Sequence, residues 1–281
     1  MAFATRAKAT YQRDGVIVLR RFMSRKTVGE VIVGLSHLLD NQLRRVGRKP
    51  AAADAGDALS RRLVALFRAD RSLYFDTMRL AQHLPALQAF AGGERICRLA
   101  QGLGLKFPVV STRQVLNLAG EAIRIPDGYD RSPAHQDWRY NQGSLDALTV
   151  WVALTDVGAS DFPLEVVPGS HRAGLMEDGP HPFGSAVTSR VAGQHEFVPM
   201  TLRAGDALAF SAFLLHRTGE GRGRRVRIAA SFRLNNADEA DYIARGYFNP
   251  YAYKVDLSLR SQPSADLLRL HFPRPLRRGS A

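Results

Sequence analysis

Ala147-Leu148-Thr149-Val150-Trp151-Val152-Ala153-Leu154 reads as a short β-strand, and its reading decides the fold because it is not alone. From Lys106 onward the apolar period is two, with β-rich runs at 107–118, 134–138, 147–154, 164–167, 197–202, 207–214 and 226–233, separated by Pro, Gly and Asp. Many short strands of this kind predict a mainly β core, a double-stranded β-helix or cupin-like jelly roll.

Upstream the pattern is helical. Gly15-Val16-Ile17-Val18-Leu19 reads as a leading strand, after which Ser24 can cap a helix carrying Val28, Val31, Ile32, Leu35, Leu38, Leu39 and Leu43, with Gly47 at its end. Leu59, Leu63, Leu66 and Phe67 share a second stripe. Helix continues over 73–90 with a break at Pro85, and again from Glu94 to Leu103, ending at Gly104. The expected organisation is one domain over 1–281. A helical flank with its leading strand occupies 14–105, the jelly-roll core 106–236 and a C-terminal cover 237–281, rich in tyrosine at 242, 247, 251 and 253 with Phe248.

A chain of 281 residues and 31.0 kDa, 45% hydrophobic and 23% charged, can bury a full core and is ordinary for a globular protein. The single Cys97 excludes an internal disulfide and fits a reducing compartment, as a buried thiol. The first fifteen residues lack the apolar centre of a signal peptide, and no stretch approaches the roughly 18 apolar residues of a membrane span, so a cytoplasmic protein without a membrane partner is expected. Net charge is +13, mostly from arginine. Such a field attracts anions, but the arginines are scattered and lack the interleaved aromatics of a nucleic-acid groove, which argues against nucleic acid as a partner.

The chemistry points to Ser132-Pro133-Ala134-His135-Gln136-Asp137-Trp138 and, far downstream, Leu214-Leu215-His216-Arg217-Thr218. Two imidazoles and one carboxylate that leave coordination positions open form the facial triad of non-haem Fe(II) oxygenases. If 134–138 is a strand, His135 and Asp137 face the interior together, while Gln136 points away or along the rim. His216 then completes the triangle from an apolar strand carrying Phe210, Phe213, Leu214 and Leu215.

These blocks, with Leu164-Glu165-Val166-Val167-Pro168-Gly169-Ser170-His171 and Arg227-Ile228-Ala229-Ala230-Ser231-Phe232-Arg233, together resemble the phytanoyl-CoA dioxygenase family of 2-oxoglutarate-dependent oxygenases. The resemblance runs from about Asp14 to about Asn236. It implies Fe(II) held by His135, Asp137 and His216, with 2-oxoglutarate and O₂ as cosubstrates. Arg227 falls where the family binds the far carboxylate of 2-oxoglutarate; Arg225 is its rival on the same strand face, with Arg224 outward. The resemblance also implies cosubstrate contacts at Thr218, Trp151, Gln136 and Asn117. Trp138 could line the substrate pocket or fill the barrel mouth. His171 belongs to a Pro-Gly-Ser-His turn and is expected to be scaffold. Asp161-Phe162-Pro163 departs from the family's glycine-containing turn, a difference expected to reshape one wall.

The implied reaction is hydroxylation of a small metabolite, for which the positive field suggests an anion, with 2-oxoglutarate decarboxylated to succinate and CO₂. The carboxylate at Asp137 favours this over halogenation, in which a small residue frees a halide site. Two alternatives stand. Arg227 and Arg233 have the spacing of nucleic-acid oxidative demethylases of the same fold, though Ala229 lacks their middle polar residue. A non-catalytic jelly-roll binding module would more readily have lost one of the four site residues. Sequence leaves the oligomeric state open.

Overall fold

Alternation along one strand sorts the molecule into three layers. In residues 227–236, Ile228, Ala230, Phe232 and Leu234 pack on the helices, whereas Ala229 packs on the opposite side with Trp151, Leu208 and Phe210. Side chains two apart on a strand share a face, so Arg227, Ser231 and Arg233 join Ala229 on the side away from the helices.

The computed structural model describes residues 2–51, 57–111, 114–125, 131–181, 184–245, 264–266 and 269. Most of the expected cover, including Tyr247, Phe248, Tyr251 and Tyr253, lies outside the described residues. The helical part comprises α1 (Ala2–Asp14), α2 (Arg25–Arg45), α3 (Ala58–Ala69), α4 (Arg71–Ala81), α5 (Pro85–Ala91) and α6 (Glu94–Leu103), with β1 (Val16–Leu19) after α1. Then follow β2 (Pro108–Val110), β3 (Val115–Ala119), α7 (Trp138–Asn141), β4 (Leu148–Ala153), β5 (Leu164–Val166), β6 (Asp178–His181) and β7 (Gly184–Val187). The chain continues through α8 (Ser189–Ala192), β8 (Val198–Met200), β9 (Ala207–Ser211), β10 (His216–Thr218), β11 (Arg227–Asn236) and α9 (Ala240–Ala244).

Antiparallel pairing orders the large sheet β1-β9-β4-β11-β2, with β3 also on β11, and the small sheet β10-β5-β8. The two sheets enclose Val16, Trp151, Val166, Leu202, Leu208, Phe210 and Leu214. The helices cover the other face of the large sheet.

The helix signals act as read. Ser24 accepts a hydrogen bond from the Thr27 amide at 3.0 Å, and Val31, Leu35, Leu39 and Leu43 of α2 are completely buried. Each such side chain contributes roughly 2 kcal/mol by leaving water. Gly47 and Gly104 end α2 and α6 with positive φ. Arg62 of α3 is tied to Asp40 of α2 at 2.6 Å.

Three expectations need correction. Residues 134–138 are not a strand: His135 makes one isolated bridge and Asp137 already has helical φ and ψ before α7. His216 does not share the strand of Phe210: β9 ends at Ser211, and His216 opens β10 in the other sheet. Cys97 is only half-buried. The hairpin β6–β7 and helix α1 carry too few periodic apolar side chains to be read from sequence.

Candidate metal and cosubstrate site

His135 and His216 come from distant parts of the chain, yet their main chains hydrogen-bond to each other, the His135 amide to the His216 carbonyl at 2.9 Å and the reverse at 3.1 Å. Directly opposed residues in such an antiparallel pair present their side chains on one face, and the ring centroids lie 4.2 Å apart. Asp137 enters the same space because the chain turns into α7 immediately after His135. Its Oδ1 lies 3.7 Å from His135 Nε2 and 3.9 Å from His216 Nε2. All three residues are buried, and one ligand atom from each falls within 4.8 Å of the others.

Outer partners fix the ring orientations. His135 Nδ1 lies 2.7 Å from the Pro133 carbonyl and His216 Nδ1 lies 2.9 Å from that of Leu214. A carbonyl can only accept, so each Nδ1 donates, and Nε2 is the nitrogen each ring turns towards Asp137, where a metal would bind. Burial, with His135 alongside, pushes the His216 pKa down to about 3, so this ring is neutral at neutral pH. Burial pushes Asp137 up, but Arg233 and the two histidines outweigh it, and its carboxyl sits well below the usual range. A buried carboxylate with two imidazole Nε2 atoms turned towards it fits a divalent ion.

Arg227 occupies the same inner face, 4% exposed. Nε donates to the Phe162 carbonyl at 3.1 Å and Nη1 to the Asn117 carbonyl at 3.0 Å, and Cζ lies 5.3 Å from the centre of the Trp151 ring. Among the described residues no carboxylate pairs with it. Burial lowers its pKa to about 10, which still leaves it charged at neutral pH. A buried guanidinium held only by carbonyls and a ring lacks an anion, and the far carboxylate of 2-oxoglutarate would supply one. The Phe162 carbonyl reaches it from a left-handed backbone, φ 53°.

The other expected residues divide. Trp151 and Asn117 both touch Arg227, the latter through its carbonyl; the Asn117 amide donates to Ser231 Oγ at 2.9 Å. Thr218 Oγ1 accepts from the Ser132 amide at 3.3 Å, bracing the strand after His216. Arg225 is exposed, unlike Arg227. Gln136 is corrected: its two amide protons go to the Gly174 and Phe213 carbonyls at 2.8 and 2.7 Å, leaving none for a cosubstrate. For Trp138 two roles were open, and its surroundings are those of a filler. It is fully buried, its indole N–H donates to the Gly143 carbonyl at 3.2 Å, and it stacks on Phe213.

Sequence reading overlooked Thr149 and Arg233 as partners of Asp137, and Tyr140, whose ring packs edge-on against His135 at 5.6 Å. Strand parity with Trp151 and Arg227 could have flagged the first two. A cleft of about 650 Å³ between α2, α3 and the start of β11 borders Arg227 but none of the three metal-ligand candidates.

This triad inside two antiparallel sheets defines the jelly-roll class of non-haem iron oxygenases. A family model described as phytanoyl-CoA dioxygenase (PhyH) matches residues 11–229, and the chain belongs to that family. It is 28% identical over 127 residues to L-proline trans-4-hydroxylase of Streptomyces griseoviridis, a match covering 37% of this chain and about half, 47%, of that enzyme. It is 23% identical over 263 residues to phytanoyl-CoA dioxygenase domain-containing protein 1 of Rattus norvegicus, covering 81% and 88% of the two chains. The fold is similar to that of the epimerase SnoN crystallised with Fe3+, alpha ketoglutarate and nogalamycin RO, with TM-score 0.58, 23% identity and coverage of 99% and 95%. Among the described residues no helix is long and apolar enough to cross a membrane.

Proposed function

We propose that this chain is an Fe(II)- and 2-oxoglutarate-dependent oxygenase that hydroxylates a small-molecule metabolite. The observation that carries the reading is the convergence of His135 Nε2, Asp137 Oδ1 and His216 Nε2 on the same inner face as a buried Arg227 that has no anionic partner among the described residues. Bound iron would supply oxidation by O₂ coupled to decarboxylation of 2-oxoglutarate to succinate and CO₂.

The chain's own residues bind, orient and exclude. The triad holds the metal, and Arg227, levelled by Trp151 and the Phe162 and Asn117 carbonyls, holds the far carboxylate. Leu208, Phe210 and Leu214 line the space between the sheets and keep water out.

A small metabolite is favoured over nucleic acid by how the basic side chains near the site are spent. Arg217 pairs with Glu165 at 2.7 Å and covers the Phe197 ring, and Arg131 pairs with Glu121 and Glu220. Both side chains are thus committed to carboxylates rather than offered to a phosphate track.

Succinate release from 2-oxoglutarate in the presence of Fe(II) and ascorbate tests the enzyme class. Incubating a metabolite pool under ¹⁸O₂ and seeking a labelled oxygen gain by mass spectrometry tests hydroxylation. No succinate from the intact, iron-loaded protein with any pool would remove the reading.

A further inference from the structure

Asp137 is gripped at both oxygens by two residues that face each other across β4 and β11. Thr149 Oγ1 donates to Oδ2 at 2.6 Å, and Arg233 Nη2 donates to Oδ1 at 3.1 Å. Thr149 and Arg233 are direct partners in the strand register. Oδ1 faces both imidazoles, so the hydroxyl caps the oxygen turned away from them.

We propose that Thr149 and Arg233 form an outer clamp that holds Asp137 as a one-oxygen ligand and so keeps a coordination position open. The inference rests on the iron and 2-oxoglutarate reading above. A carboxylate can bind a metal through one oxygen or two. Three single-atom ligands leave three of six positions, enough for a chelating 2-oxo acid and dioxygen together; a second oxygen from Asp137 takes one away. To bring Oδ2 round, the carboxylate must rotate about Cβ–Cγ and abandon Thr149, which is 2% exposed and has no other acceptor for its proton among the described residues. Stranding a buried hydroxyl is unfavourable. Arg233 opposes the same rotation from the other side, because Oδ1 must leave its guanidinium. The main chain of Asp137 is fixed separately, its carbonyl accepting from the amides of Tyr140 and Asn141. Side-chain rotation is therefore the remaining freedom, and the clamp removes it. Both residues are positioning residues, acting on the metal through Asp137.

The test compares wild type with Thr149→Val, Thr149→Ser and Arg233→Met. Co(II) affinity and visible spectrum report the metal site, and 2-oxoglutarate is titrated anaerobically on the Fe(II) protein through the charge-transfer band of the chelated 2-oxo acid. In Thr149→Val, metal affinity should hold or tighten, while 2-oxoglutarate binds at least about tenfold more weakly and the Co(II) spectrum changes. Thr149→Ser should stay within about twofold of wild type, and Arg233→Met should weaken 2-oxoglutarate binding. Mere structural damage would instead lower metal and 2-oxoglutarate affinity together, along with the melting midpoint, and that result overturns the clamp. So does a Thr149→Val protein with unchanged spectrum and affinities. A wild-type protein showing no such band with Fe(II) and 2-oxoglutarate would instead bring down the functional reading itself.

Discussion

The main chains of His135 and His216 hold one another through two hydrogen bonds that do not involve their side chains. The imidazoles are therefore placed by backbone pairing, and removing either should leave the pairing intact. His135→Ala and His216→Ala are expected to weaken Co(II) or Fe(II) binding by at least about 100-fold while shifting the melting midpoint of the metal-free protein by only a few degrees. Equilibrium metal titration with thermal denaturation checks both halves. Tight metal binding without His216 would mean that the distal ligand is misassigned.

Arg227 offers a cleaner separation of functions. Its guanidinium touches carbonyls and the Trp151 ring but none of the three candidate metal ligands. Arg227→Ala should raise the 2-oxoglutarate dissociation constant about 10- to 100-fold, equivalent to about 1.4 to 2.7 kcal/mol, with metal affinity unchanged. Exposed Arg225→Ala serves as the control. If Arg225→Ala carries the loss instead, the cosubstrate arginine is the other one.

How far the sequence could be read follows from how local each signal is. Helices α2 to α6 and the strands around Trp151 and Arg227 were legible because apolar spacing, Ser24 and Gly104 act within a few residues. The triad's identity was legible from residue types. Its construction was not: sequence placed Asp137 on a strand, whereas it starts a helical turn, and placed His216 beside Phe210, whereas it lies on β10. Both errors concern which strand crosses which, a property of pairing between distant segments. Gln136 and Trp138 show the same limit, since their polar atoms are consumed by the carbonyls of Gly174, Phe213 and Gly143.

The choice between the two roles of Trp138 can be tested directly. It packs with Leu145, Ala147, Ala212 and Phe213 in one buried cluster. Trp138→Ala should cost about 3–5 kcal/mol in stability through the cavity it leaves, read from urea denaturation. Trp138→Phe should retain wild-type affinity for 2-oxoglutarate and the wild-type substrate. A change of substrate preference in an otherwise stable Trp138→Phe protein would restore the residue to the pocket.

His171, expected to be scaffold, joins the N-terminal segment to the jelly roll, and its environment gives stability a pH dependence. Its Nε2 donates to the Gln12 carbonyl at 3.2 Å, and its ring fills the space beside Gly15, where a Cβ would stand 2.7 Å from ring Cγ. Gly15 also has φ +73°, so Gly15→Ala should destabilise by about 2–4 kcal/mol from clash and backbone strain together. Burial lowers the His171 pKa from its ordinary 6.5, with Arg172 adding to the effect and the Gln12 carbonyl and Asp14 opposing it. The unfolded chain therefore takes up this proton first as pH falls. The stabilisation is complete above about pH 6.5, declines below it, and levels off once the native imidazole is protonated as well. The melting midpoint of wild type should fall across this window more steeply than that of His171→Gln, so that the gap between them narrows with acidification. Parallel curves for the two proteins from pH 8 to about pH 5 would show that His171 is not the titrating group.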